Sequence, residues 1–186
     1  MNLLRKTRAL STVVATLIIL VVSVLLATVV TFYAVNITST RVQDESLFLT
    51  KQHVWVNTSG SWAQAAVVIV NTGGRDAVLD KISVRGQECS WNNIYYWRTN
   101  NVTISDDLQV TPTSISGASF DIIVQKSART FAQSNNDLTL KSGWAIVIYM
   151  MNPDSVNLHD VGTPVVITAF TANAQYQKTA NVEGAQ

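Results

Sequence analysis

Residues 9–40 read ALSTVVATLIILVVSVLLATVVTFYAVNITST, and none of them is charged. Within Ala9–Val35 only Ser11, Thr12, Thr16, Ser23, Thr28 and Thr31 are polar, so 21 of 27 positions are apolar. At ~1.5 Å of rise per residue, a helix of this length spans roughly 40 Å. The hydrocarbon core of a bilayer is only about 30 Å thick. The stretch is therefore expected to be a spanning helix with at least a turn to spare. A secretory signal fits less well, because its apolar region is only ~7–15 residues long. A helix that is apolar all round must be buried in lipid or in protein.

The flanks set its direction. Arg5, Lys6 and Arg8 precede the helix, and Arg41, Asp44 and Glu45 follow it. The leading positive cluster is expected to stay cytoplasmic, with the C-terminal part of the chain outside. Three sequons agree with an external location: Asn36-Ile37-Thr38, Asn57-Thr58-Ser59 and Asn101-Val102-Thr103. Across all 186 residues only 13% are charged and 47% are apolar, which excludes a disordered chain and a nucleic-acid-binding tail. The net charge of +1 implies no acidic partner. One cysteine, Cys89, excludes an intrachain disulfide and a Cys-based zinc site.

The leader junction reads Arg5-Lys6-Thr7-Arg8-Ala9-Leu10-Ser11. In a Sec-type signal the small residues at the cleavage site follow the apolar stretch, whereas here Ala9 precedes it. Cutting at this place removes the charged leader and keeps the helix. Arg8-Ala9-Leu10-Ser11, followed by Thr12-Val13-Val14-Ala15-Thr16-Leu17-Ile18-Ile19-Leu20, resembles the class III signal of archaeal type IV pilins. The resemblance covers about forty residues; beyond them the chain is similar in style only, charge-poor and rich in Thr and Asn. It implies cleavage between Ala9 and Leu10 by a prepilin peptidase, with a cut after Arg8 as the alternative. The mature chain would then carry 10 basic and 12 acidic residues. Bacterial pilins carry Glu at the fifth mature position; here that position is Val14, which favours the archaeal branch.

The resemblance also implies a filament whose core is built from this helix, through Val14, Leu17, Ile18, Leu20, Val21, Leu25, Val29 and Phe32. Its implied partners are identical subunits, the peptidase and assembly machinery, and the membrane before assembly. Its β-branched residues weaken a helix in water. In an apolar medium the backbone must satisfy its own hydrogen bonds, so helix remains the practical state. A motility-filament subunit shares this leader and helix logic. A permanently membrane-anchored external β-domain, such as a motor stator or a cell-wall-binding protein, is the reading from another class.

Past Val35 the helix is expected to run on as a polar stem to about Phe48, giving a leader (1–9), a helix (10–50) and an external domain (51–186). In that domain apolar and alternating runs lie between turn signals. Strands are predicted at Val54–Val56, Trp62–Val70, Ala77–Val84, Ile94–Trp97, Val102–Ile104, Phe120–Val124 and Trp144–Met151. Val165–Thr171 and Ala174–Val182 are predicted to pair as a hairpin through Ala172-Asn173, and Gly73-Gly74 reads as a second hairpin turn. Eight to ten strands at roughly ten-residue spacing predict an α+β chain whose domain is an immunoglobulin-like β-sandwich.

Little in the chain points to catalysis, and no cofactor is implied. There is no Gly-rich phosphate loop and no Gly-x-Ser-x-Gly elbow. Asp106-Asp107 and Asp154 with Asp160 lack EF-hand spacing and read as loop carboxylates. His53 and His159 read as surface or packing residues, and Cys89 as a buried small hydrophobe. The densest aromatic run is Trp91-Asn92-Asn93-Ile94-Tyr95-Tyr96-Trp97-Arg98. Tyr, Trp and Arg dominate interfaces, and alternation along a strand turns some of them outward. The segment could contact a neighbouring subunit, a surface or a glycan ligand, and at least one of Tyr95, Tyr96 and Trp97 is expected at a subunit interface.

Overall fold

The computed structural model describes residues 3–42, 44–59, 62–100, 103–153 and 156–185. The chain divides into two units, Met1–Gln43 and Asp44–Gln186.

The first unit is one helix, α1 (Leu3–Val42, 40 residues). The polar stem does not extend to Phe48. The helix stops at Val42 and the first strand, β1 (Leu47–Asn57), opens four residues after the helix is left. The reason is a change of period: Leu47 and Leu49 are buried in the β-domain while Phe48 between them is 53% exposed. A two-residue alternation suits one face of a sheet and cannot line one face of a helix.

The second unit is a β-domain. After β1 come β2 (Ala63–Asn71), β3 (Ala77–Val84), the two-residue β4 (Gln87–Glu88), β5 (Ile94–Thr99) and β6 (Ser119–Val124). Then follow β7 (Ser127–Gln133), β8 (Leu138–Leu140), β9 (Ala145–Met151), β10 (Pro164–Thr171) and β11 (Gln175–Ala185). The eleven strands run in the order β4-β3-β10-β11-β1-β2-β9-β5-β7-β6, with β8 added to β3. Pairing is antiparallel throughout except between β11 and β1. β11 changes partner along its length: residues 175–181 pair with β10, and residues 182–185 with β1.

The packing explains the runs of apolar sequence. β2 and β9 are buried at every position. Ala65, Val67 and Ile69 of β2 enter one core with Ile146, Ile148 and Met150 of β9. The intervening Ala66, Val68 and Val70 enter a second core with Val147, Tyr149 and Met151. β3 and β10 close the first core through Leu79, Ile82, Val84, Val165, Ile167 and Ala169. Val124 and Phe131, from the β6–β7 hairpin, together with Ile104 and Leu108, close the second. Strands covered on both faces have no polar side to show, so their sequences are continuous rather than alternating.

Several predicted elements hold and several do not. The β10–β11 hairpin forms and turns through Ala172-Asn173, as predicted. Gly73-Gly74 is not a hairpin turn, because β2 pairs with β1 and β9 while β3 pairs with β10, β4 and β8. It is a crossing from β2, between β1 and β9, to β3, beside β10. Thr103 and Ile104 lie in irregular chain, not in a strand, and Val102 falls outside the described residues. There the apolar Ile104 is buried by capping the second core. β7, with its polar sequence SARTFAQ, carries too few apolar residues to stand out, although Phe131 within it is fully buried.

Candidate functional site

The most exposed apolar surface on the described residues is α1. Val14, Leu17, Ile18, Leu20, Val21, Leu25, Val29 and Phe32 are between 48% and 71% exposed. Residues Ser11–Ser39 form a stretch of 29 residues long and apolar enough to cross a membrane. Scattered surface Leu or Val needs no explanation, but a continuous apolar rod does. Its hydroxyls do not spoil it. Thr16 donates to the carbonyl of Val13 (2.9 Å), Ser23 to Ile19 (2.7 Å), Thr28 to Val24 (2.8 Å), Thr31 to Ala27 (2.7 Å) and Thr38 to Ala34 (2.8 Å). Each of these polar groups is satisfied inside the helix, so burying it costs much less than burying an unpaired hydroxyl. Arg8, Ala9 and Leu10 lie within the helical backbone of α1.

The three aromatics of β5 part company. Tyr95 is 3% exposed and belongs to the second core; its hydroxyl donates to the carbonyl of Gly117 at 2.8 Å, and burial raises its pKa. Tyr95 is therefore a core residue of its own domain and is removed from the interface candidates. Tyr96 and Trp97 are half-buried on opposite faces of the strand, packing on the first and second cores. Each ring carries a guanidinium: Arg98 lies 4.7 Å from the centroid of Tyr96, and Arg129 lies 5.0 Å from that of Trp97. The Nε atoms of both arginines are shielded and have no hydrogen-bond partner among the described residues. Such stacked, partly desolvated cations are held chiefly by the ring faces.

A polar cluster that sequence reading missed stands where β1 is bulged. The register of β1 against β2 shifts between Thr50 and His53, and Lys51 takes a left-handed φ of 50°. The bulge sends the Lys51 ammonium to the carbonyl of Ser105 at 2.7 Å. His53 then lies between Asp107 (2.9 Å from Nε2) and Glu183 (3.4 Å from Nδ1), stacked flat on Trp55 with ring centroids 5.0 Å apart. Trp55 Nε1 donates to Glu183 at 3.1 Å. The hydrogen bond from His53 is the main cause holding the Asp107 carboxyl below its ordinary pKa. The cluster ties the irregular 103–111 segment to β1 and β11. Its signal in the sequence is faint, since residues 53, 107 and 183 meet only through the fold.

Asp160 is held by its own turn and by Arg85. Asp160 accepts from the backbone N–H of Asn157 (2.9 Å) and from Arg85 Nη1 (2.7 Å), and the Asn157 carboxamide oxygen accepts from the backbone N–H of His159. The first of these, then Arg85, keeps the Asp160 carboxyl below its ordinary pKa. Asp154 lies outside the described residues. Among the described residues no group of three His, Cys, Asp or Glu stands close enough to hold a metal ion. Tyr149, fully buried, donates to the carbonyl of Gln109 at 2.9 Å, and burial pushes its phenol well above the ordinary range. Cys89 is buried in the first core. Of the sequons, Asn36 is exposed on α1. Asn57 ends β1 with its carboxamide oxygen accepting from the N–H and hydroxyl of Ser59, and Asn101 is outside the described residues.

No family model matches the chain, and no curated protein sequence is similar to it. Among solved structures, a β-glucosidase from Erythrobacter marinus aligns over 74% of this chain and 15% of its own, at 10% identity and a TM-score of 0.28. A family 123 glycoside hydrolase from Clostridium perfringens aligns over 71% of this chain and 22% of its own, at 9% identity and a TM-score of 0.34. The chain thus spans less than a quarter of either enzyme, and likeness at this level carries no argument about its activity.

Proposed function

We propose that this chain is the structural subunit of an extracellular archaeal type IV pilus, used for adhesion or surface attachment. The observation that carries the reading is α1: a charge-free rod, exposed on every described side chain from Ser11 to Ser39, with the hydroxyls of Thr16, Ser23, Thr28, Thr31 and Thr38 bonded to its own backbone. Such a rod suits two successive apolar environments, the bilayer and then a bundle of identical helices. Each Leu, Ile or Val withdrawn from water contributes about 1.5–3 kcal/mol, so one subunit gains on the order of tens of kcal/mol before ordering costs. The mechanism is assembly without catalysis. The leader before Leu10 is removed, the helix leaves the membrane for the filament core, and the β-domain packs outside.

The β-domain is read as an immunoglobulin-like sandwich. Support comes from its antiparallel pairing and from a core enclosed between β3 and β10 on one side and β2 and β9 on the other. Tyr96 and Trp97, with their stacked arginines, are the aromatics left for contact with a neighbouring subunit.

The test is the polypeptide in sheared surface fibres. Its N-terminus is expected at Leu10, and Arg8→Ala or Ala9→Leu should leave the chain uncut in the membrane fraction with no fibres. A chain that remains single, membrane-embedded and still carrying Arg5, Lys6 and Arg8 refutes the proposal in favour of a permanent anchor.

A further inference from the structure

The His53 ring meets a carboxylate at each nitrogen. Nε2 lies 2.9 Å from Asp107 Oδ1, and Nδ1 lies 3.4 Å from Glu183 Oε1. An ionised carboxylate only accepts, so the bond at Nε2 needs a ring N–H. Nδ1 is shielded from water and makes no hydrogen bond among the described residues. In a neutral ring protonated at Nε2, the lone pair of Nδ1 would face the Glu183 carboxylate with no water to relieve it. Moving the proton to Nδ1 transfers the same conflict to Asp107. A ring with both N–H groups, and hence a positive charge, suits the two sides together.

The neighbours hold this arrangement in place. Glu183 is fixed by its second oxygen, which accepts from Trp55 Nε1 at 3.1 Å, and Trp55 and Glu183 are paired across β1 and β11. Trp55 also stacks on the imidazole at an interplanar angle of 2°, a contact that favours a cationic ring. The other charged and titratable groups on the elements packed against His53 are few. β1 carries Lys51, whose ammonium is bonded to the Ser105 carbonyl at 2.7 Å. The 103–111 segment carries Asp106, which accepts from the Ser105 hydroxyl at 3.3 Å, besides Asp107. β2 places Ala66 opposite His53, and β9 places Tyr149 beyond it; burial raises the Tyr149 phenol, which stays neutral. Three carboxylates thus stand against one ammonium, a balance that favours the charged imidazole.

We propose that His53 is a pH-sensitive clasp: charged, it fastens the irregular 103–111 segment and the end of β11 onto the bulge of β1, and discharged, it lets both loosen. Since the fold favours the charged ring, the stabilisation is complete in mildly acid solution and is lost as rising pH removes the ring proton. Acid does not open the clasp first, because the hydrogen bond from His53 is the main cause holding the Asp107 carboxyl below its ordinary pKa. The loosening is local. Ile104 and Leu108 stay buried in the second core, and the Thr111 N–H stays bonded to Gln64 Oε1 at 3.0 Å. What opens is the rim of that core. The inference rests on the β-domain alone and stands or falls separately from filament assembly.

The experiment uses the full chain in zwitterionic detergent micelles. Long-range proton–nitrogen spectra of the histidine-labelled protein read the ring; His159, the other histidine, is assigned by His159→Gln. Amide hydrogen exchange, corrected for its intrinsic pH dependence, reads residues 103–108 and 182–185. At about pH 6 both nitrogens of His53 should carry protons. From there to about pH 8.5, protection of the two segments should fall about two- to fivefold, the size expected of ion pairs whose carboxylates are more than half exposed. The fall should keep step with discharge of the ring, while the amides of β2 and β9 keep their protection. His53→Gln, which retains a donor but no charge, should exchange at the loosened rate at both pH values. Glu183→Gln, whose carboxamide can donate to a neutral Nδ1, should make 182–185 insensitive to pH. Three outcomes overturn the proposal: a His53 ring with one bare nitrogen at about pH 6, equal protection at both pH values in the parent, or the parent's pH response retained in His53→Gln.

Discussion

Gly73 shows how one atom decides a crossing. The N–H groups of Thr72 and Gly73 donate to the carbonyl of Ser46, and that of Gly74 to the carbonyl of Asp44. A Cβ at Gly73 would stand 2.6 Å from both the Asp44 carbonyl oxygen and the Ser46 nitrogen. These are backbone atoms in a bonded turn and cannot step aside cheaply. Gly73→Ala should therefore lower the stability of the β-domain by about 1–3 kcal/mol, read as a drop in urea midpoint at unchanged slope. A variant as stable as the parent would refute the close approach. Asp160 acts through charge. Its carboxyl is bonded by Asn157 N–H and Arg85, so its pKa is lower in the folded than in the unfolded state. That stabilisation is complete above the unfolded value and disappears as pH falls through the folded one. Asp160→Asn should melt below the parent at neutral pH, and the gap should close as pH falls below about 4. A gap that is constant between neutral and acid pH would show that the carboxylate charge contributes nothing. Neither residue was legible as structural in the sequence: Gly73 looked like a hairpin glycine, and Asp160 like a loop carboxylate.

At the scale of the element, α1 was legible almost completely. A run without charge over residues 9–40 leaves a helix as the one structure that satisfies its own backbone in an apolar medium. Its end was not legible, because the switch from helical to two-residue period at Leu47–Leu49 depends on a sheet partner, β2, beginning sixteen residues further on. Leu25 lies midway along Ser11–Ser39. A carboxylate there costs about 2.5–3.5 kcal/mol in a bilayer centre and more in a close-packed bundle of helices. On the proposed function, Leu25→Asp should abolish fibres and shift the chain out of the alkali-resistant membrane fraction, while Leu25→Ile should do neither. Fibres from the Asp variant would mean that α1 is not the filament core. Strand β5 makes the opposite point. Its alternation was readable, but which of Tyr95, Tyr96 and Trp97 faces inward was not, since both faces of β5 are partly covered.

At the scale of the whole β-domain, two cores share β2 and β9. Phe131, fully buried, touches the rings of Phe120 and Tyr149 at 5.0 Å and 5.2 Å in the second core; Ile148, equally buried, belongs to the first. Phe131→Ala should cost about 3–5 kcal/mol and Ile148→Ala about 2–5 kcal/mol. Because the same strands carry both cores, either loss should lower a single unfolding transition seen alike by tryptophan fluorescence and far-ultraviolet circular dichroism. Two separated transitions would show that the cores melt independently. The chain's composition and local periods determined that an apolar helix precedes a β-rich domain, and placed most of the strands, because burial of apolar side chains imposes its period on the residues that undergo it. Which strands become neighbours, the partner change along β11, and the pairing of His53 with Asp107 and Glu183 were decided only in three dimensions. Those features join residues as much as 130 positions apart in the chain, and local sequence carries no record of the contacts that a distant strand will supply.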